Sequence, residues 1–148
     1  MGAGDFIVKV KIAESEINKA IKQVSIYDTK KMLEIENIQK SATKSIIKRA
    51  QQRINNKTGN LKKSGKTDYN NRTGTAFARF KAPHAHLVEF GAKATTSTPQ
   101  NRKVLKMGDR YFKKAKIPAR RPRPFLFPAY QETYPEVLRD IKEVLKKP

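Results

Sequence analysis

The chain has 148 residues, enough for one domain with a substantial core, since a domain of this size hides about 70% of its unfolded surface. Its formal charge is +20, from 33 Lys and Arg against 13 Asp and Glu, and it has no cysteine. Disulfides, thiolate metal sites and a cysteine nucleophile are thereby excluded, and the short apolar runs exclude a spanning helix.

The start, MGAGDFIVKV, has neither the apolar stretch of a secretion signal nor the hydroxyl residue that myristoylation requires where Phe6 stands, so a cytoplasmic product is expected. Phe6, Val8, Val10 and Ile12 alternate with Lys9 and Lys11, which predicts a short half-buried strand. From Glu14 the period becomes helical, and no Pro or Gly interrupts residues 14–57. A short helix carrying Ile17, Ala20, Ile21 and Val24 leads to a break or N-cap at Asp28, beside Thr29. A long helix follows, with a stripe of Met32, Ile35, Ile38 or Gln39, Ala42, Ile46, Ala50 and Ile54. The stripe reads as core rather than as a coiled-coil seam, because heptads do not persist.

NNKTGN ends that helix, and LKKSGKTDY, residues 61–69, reads as a polar strand weakened or bulged at Gly65. NNRTG is a hairpin turn leading to TAFARFKA, which alternates Ala76, Ala78 and Phe80 against Phe77 and Arg79. HAHLVEFGA is a strand or a single helical turn, closed by Gly91. KVLKMGDRYFKKAKI has enough Val, Leu, Tyr and Phe for a small hairpin around Gly108 and Asp109. The last helix carries Tyr130, Tyr134, Val137, Leu138, Ile141 and Leu145. Pro128 suits its first turn, whereas Pro135 fits without a kink only where the helix begins near Thr133. The expected fold is α+β, a small antiparallel sheet of three to four strands packed against one long N-terminal helix and a C-terminal helix.

Residues 92–123 hold eleven Lys or Arg against Asp109 alone, which gives 11 − 1 = +10, half the charge of the whole chain. They form a basic extended loop or hairpin inserted in a single domain, and a segment this long without other purpose would be unusual. Its candidate contacts to a partner or to DNA are Arg102, Lys103, Lys106, Arg110, Lys113, Lys114, Lys116, Arg120 and Arg121. A solvated surface explains part of such charge; nucleic acid or an acidic protein explains the rest. No helix-turn-helix, RRM, KH or zinc-finger pattern is present, although Tyr111 and Phe112 amid lysines could stack bases.

Catalytic chemistry has little to stand on. His84 and His86 at i, i+2 on a strand would point the same way, as a basic ribonuclease needs, but an exposed pair beside a turn is the simpler reading. Glu89, between Val88 and Phe90, is expected to be buried in an ion pair with Arg123 or Arg79. The glycines of GAGDFIVKV follow no strand and make no phosphate loop, and no nucleophile elbow occurs. No enzyme, metal or cofactor is expected.

Three stretches in order carry a resemblance: KTGNLKKS after the long helix, APHAHLVEFGAK after the hairpin, and RPRPFLFPAY before the last helix. Thr58, Gly59 and Leu61, then Val88, Glu89, Phe90 and Gly91, then Arg123, Pro124, Phe125, Leu126, Pro128 and Ala129 match a pattern. That pattern resembles the head–tail connector and tail-completion proteins of long-tailed bacteriophages, over roughly residues 6–147. Ala92 stands where Thr is common, His86 where an aromatic is common, and the basic segment is longer than that family's. The resemblance implies a structural virion protein at the head–tail junction, made in the host cytoplasm. It would form a six-fold ring with itself, touch other neck and tail proteins, and surround the DNA channel. The alternatives are a basic nucleic-acid-binding protein and a small ribonuclease using His84 and His86.

Overall fold

The structure, a computed structural model, describes residues 8–12, 29–55, 59–100 and 103–147. The first helix expected in residues 14–28, Asp28, Thr58 and Arg102 lie outside the described residues. Strand β1 (Val8–Ile12) and helix α1 (Thr29–Arg53) open the described chain. A single turn of helix, α2 (Asn60–Lys63), leads into the hairpin β2 (Gly65–Asn70) and β3 (Thr75–Phe80). Helix α3 (Ala85–Phe90) follows, and helix α4 (Leu126–Lys146) closes the fold. The architecture is α+β: one antiparallel sheet of order β1-β3-β2, with α1 and α4 packed against each other over it.

Alternation in TAFARF decides the two faces of the central strand. Ala76, Ala78 and Phe80 are fully buried, whereas Phe77 and Arg79 lie half-buried on the opposite face. That second face is polar, with Arg79 paired to Asp68 and Lys9 lying 5.4 Å from the Phe77 ring centre. The two small alanines let α1 lie close on the sheet, and Ile35, Ala42, Ile46 and Ala50 fill the gap. Gln39 takes the core position that Ile38 only partly shares, and Met32 is exposed, so the apolar stripe begins a turn later than the spacing suggested.

Residues 61–64 are not strand. Gly59 has φ +76°, its carbonyl accepts from Lys63 N at 3.0 Å, and Leu61 is buried. One helical turn therefore precedes β2, and Gln51 Nε2 ties it to α1 through the carbonyl of Lys62 at 2.8 Å. Gly65 is no bulge: it pairs in register with Phe80. A Cβ there would lie 2.9 Å from Ile47 Cγ2 and 3.2 Å from the Phe80 ring, so glycine is needed for close approach of α1.

Pro135 falls inside α4, which starts at Leu126 and not near Thr133. It sits on the exposed face, so the Gln131 carbonyl that loses its helical bond is free to take water. The buried face of α4 carries Leu126, Ala129, Tyr130, Thr133, Val137, Ile141 and Val144. Along the α1–α4 seam, Arg49 donates to both carboxylate oxygens of Glu136 at 3.0 and 3.1 Å and to Thr133 Oγ1 at 3.0 Å, and Arg53 pairs with Glu132.

The described residues of 92–100 and 103–120 form an arm of paired strands. Strands β4 (Thr95–Ser97) and β7 (Ala115–Ile117) pair antiparallel, as do β5 (Leu105–Met107) and β6 (Arg110–Phe112), turning at Gly108 with φ +61°. The strands of the arm pair with each other and not with the three-stranded sheet.

Gly65→Ala tests the packing of α1 on the sheet. Ile47 is β-branched on a helix and Phe80 is fully buried, so neither neighbour yields easily. The overpacking term, about 1–3 kcal/mol, exceeds the entropic gain of about 0.4–1 kcal/mol from removing a glycine. A lower midpoint in urea denaturation, with an unchanged slope, is the expected result.

Candidate functional site: the clamp and the arginine cleft

The run RRPRPFLFPAY divides into an extended wall and the start of α4. Arg120 exchanges two backbone hydrogen bonds with Ala92, 3.0 Å from Ala92 N to Arg120 O and 2.8 Å in return. Arg123 N then donates to Val88 O at 2.8 Å, which holds the wall against α3. Gly91 makes this approach possible. Its φ of +76° and ψ of 178° suit glycine alone, and a Cβ there would lie 2.7 Å from Arg120 O and 2.8 Å from Pro122 N.

Helix α4 begins with Phe125 at its N-cap, a side chain that cannot accept a hydrogen bond. Glu89, 3% exposed, supplies the cap from α3. Its Oε2 accepts from Phe125 N at 2.9 Å and from Leu126 N at 3.0 Å, and its Oε1 accepts from Phe127 N at 2.9 Å. The next residue is Pro128, which has no N–H. The orphan donors of the first turn are thus satisfied by one carboxylate or absent altogether. The negative charge also sits at the positive end of the helix dipole. Glu89 is therefore not in an ion pair: its partners are three backbone amides, Arg79 pairs with Asp68, and Arg123 contributes its main chain. The physical reason is distance along the chain: the helix start follows Arg123 immediately, and its amides offer three fixed donors already desolvated.

Clamping α4 seats Phe125, Leu126 and Ala129 in the core, with Phe125 edge-on to Phe80 at 5.0 Å between ring centres. Phe90 and Phe127, the neighbours of clamp atoms, point outward instead, 73% and 53% exposed. Phe127 stacks on Tyr130 at 6.3 Å.

Beside the clamp opens a cleft of about 650 Å³. The end of α1 contributes Arg53, Ile54 and Asn55; the turn into α2 contributes Gly59 and Leu61. Helix α3 adds Leu87 and Val88 behind the exposed His84, and the wall adds Ala119, Arg120, Arg121, Arg123 and Phe125. Residues from all three motif stretches, Gly59 and Leu61, Val88, and Arg123 and Phe125, meet here.

The candidate contacts Lys103, Lys106, Arg110, Lys113, Lys114 and Lys116 lie exposed on the arm, with Tyr111 and Phe112 between them and Lys106 Nζ 6.0 Å from the Tyr111 ring centre. Arg120 and Arg121 belong to the cleft instead. Sequence reasoning missed Arg53 and Leu87, because nothing in local spacing brings the end of α1 to residues 119–123. The histidines do not act as a strand pair: α3 is a helix there, where residues two apart point to opposite sides. Among the described residues there is no cluster of three or more metal-ligating side chains, and no helix long and apolar enough to cross a membrane. No protein-family model, curated protein or solved structure matches this chain.

Glu89→Gln leaves one amide of α4 facing an NH2 group and removes the charge. A loss of about 3 kcal/mol is expected, since hydrogen bonds to charged groups contribute about 1.5–3 kcal/mol each. Arg123→Ala keeps the main-chain bond and is expected to change stability by less than about 0.5 kcal/mol. Urea denaturation of both variants checks the pair; an equally large loss for Arg123→Ala would restore the ion-pair reading.

Proposed function

We propose that this chain is a structural subunit of the neck of a long-tailed bacteriophage. It forms a ring that completes the head-proximal end of the tail and joins it to the head connector around the DNA channel. One observation carries the reading. Three short stretches, separated by about thirty residues each, resemble that family in order, and their residues are neighbours around one joint, each with a defined part in it. Gly59 turns the chain, Gly91 admits the wall, Glu89 caps α4, and Phe125 with Leu126 anchors it. Three stretches that build one joint suit a scaffold; the arm and the exposed Phe90 and Phe127 are then left for neighbours.

In this reading the body is the ring subunit and the arm is its reach. The arm's exposed cations would repel their copies around a ring unless acidic protein or DNA faced them. Contacts with neighbouring rings are more specific than contacts with DNA, because a channel must let DNA slide.

The arm can be shortened without disturbing the joint. Ser97 and Ala115 are paired, so replacing residues 98–114 by Asn-Gly closes a two-residue hairpin there. The shortened chain is expected to keep its melting temperature within a few degrees. It is also expected to fail to complement a phage lacking this protein, with full heads and free tails accumulating in electron micrographs. Normal titres from the shortened chain would overturn the arm's role.

The nucleic-acid reading has one observation in its favour, the exposed Tyr111 and Phe112 among lysines. A sequence-tolerant single-strand binder would lose about 1–3 kcal/mol per stacking ring on substitution by alanine. Affinity of the double alanine variant for a single-stranded oligonucleotide, compared across salt concentrations, decides it; unchanged affinity removes the stacking platform.

A further inference from the structure

We infer that the cleft beside the clamp is a docking site for an acidic, apolar-tipped segment of a partner protein. The inference stands apart from the neck reading, since it rests on the cleft alone. The first argument is charge. Arg53, Arg120, Arg121 and Arg123 line the cleft, and no carboxylate does among the described residues. Arg53 is paired with Glu132. Arg120, Arg121 and Arg123 are exposed, and among the described residues none of their guanidinium groups has a carboxylate partner. Three cations within four residues of extended chain repel one another, and an incoming carboxylate relieves that repulsion while offering bidentate geometry to arginine.

The second argument is the floor. Leu87 and Val88, backed by the buried Ile54, Leu61 and Phe125, make the cleft mainly apolar behind its cationic rim. A volume of about 650 Å³ lies within the range of about 300–1,000 Å³ typical of ligand sites. A phosphodiester backbone would use the rim and leave the floor empty. A nucleic-acid base would need an aromatic face, and Phe125 is 1% exposed. A peptide satisfies both parts, with carboxylates on the arginines and an aliphatic or aromatic side chain on Leu87 and Val88.

The third argument is rigidity. The wall is held at both ends, by the Ala92–Arg120 pair and by Arg123 N on Val88 O, and the Gly91 contact leaves no slack behind it. Pro118, Pro122 and Pro124 restrict it further. A wall already ordered costs little to bind, which favours recognition of a short segment. A second copy of this chain is the poorer occupant, because 33 basic residues outnumber its 13 acids.

The test uses the full chain and a fluorescein-labelled peptide, DELFED, in fluorescence anisotropy near physiological salt. Two charge reversals of equal size are compared: Arg120→Glu, Arg121→Glu and Arg123→Glu in the cleft, and Lys113→Glu, Lys114→Glu and Lys116→Glu on the arm. The cleft triple is expected to weaken binding by about tenfold or more, and the arm triple by less than about threefold. The peptide DESSED, without the apolar tip, is expected to bind wild-type protein about tenfold more weakly. Amide chemical shifts of wild-type protein with DELFED provide a readout free of folding defects, and should move at residues 84–88 and 119–123 and not on the arm. Failure of wild-type protein to bind, equal losses in the two triples, equal binding of the two peptides, or shifts confined to the arm would each overturn the assignment. So would displacement of DELFED by a single-stranded oligonucleotide that depends on the same three arginines, or self-association abolished by the cleft triple.

Discussion

The structure depends on one buried carboxylate. Glu89 has left water, and the three amides it accepts from had no helical partners of their own. Either group alone would be an uncompensated burial costing several kcal/mol; together they satisfy each other. The contact is also geometric. Because both oxygens are used, α3 and the start of α4 are held at one angle, and Phe125 and Leu126 arrive in the core at one depth. The first turn of α4 is fixed by this clamp.

The rest of the core is organised to receive what the clamp delivers. Small residues on the central strand, Ala76 and Ala78, and the missing side chain at Gly65 let α1 approach the sheet. The space left over is closed by α4, whose long apolar face meets α1 along a seam bordered by Arg49–Glu136 and Arg53–Glu132. Those pairs are half exposed, so they orient the two helices more than they hold them together. The apolar stripe between them supplies the attraction.

Charge is distributed so that the body and the arm differ. The acids of the described chain are mostly engaged, Glu36 with Lys40, Asp68 with Arg79, Glu132 and Glu136 with arginines of α1, and Glu89 with amides. The arm and the cleft wall hold cations that have no carboxylate partners among the described residues. A surplus placed in this way bears on solubility and association and not on the fold. The apolar counterpart is the exposed Phe90, next to Glu89, and the exposed Phe127, whose amide belongs to the clamp.

Much of this was legible in the order of residues. Alternation named the buried face of β3, the helical period found α1 and α4, and Gly108 with Asp109 marked the turn of the arm, because each of these signals is local and each element's period is set by its own backbone. The three motif stretches could likewise be seen as related to one another by their order. Their meeting could not, and neither could the identity of Glu89's partner. A carboxylate flanked by apolar residues announces burial, but what satisfies it is decided by whichever donors the fold brings within 3 Å. Here those were amides 36 to 38 residues away, bare because first-turn amides have no carbonyl four residues before them and the Phe at the N-cap cannot supply an acceptor. Composition by itself determined that cations far outnumber acids in this chain; only the tertiary structure decided that part of that charge rims an apolar cleft and part stands on an arm, since that division follows from where the wall crosses the end of α1.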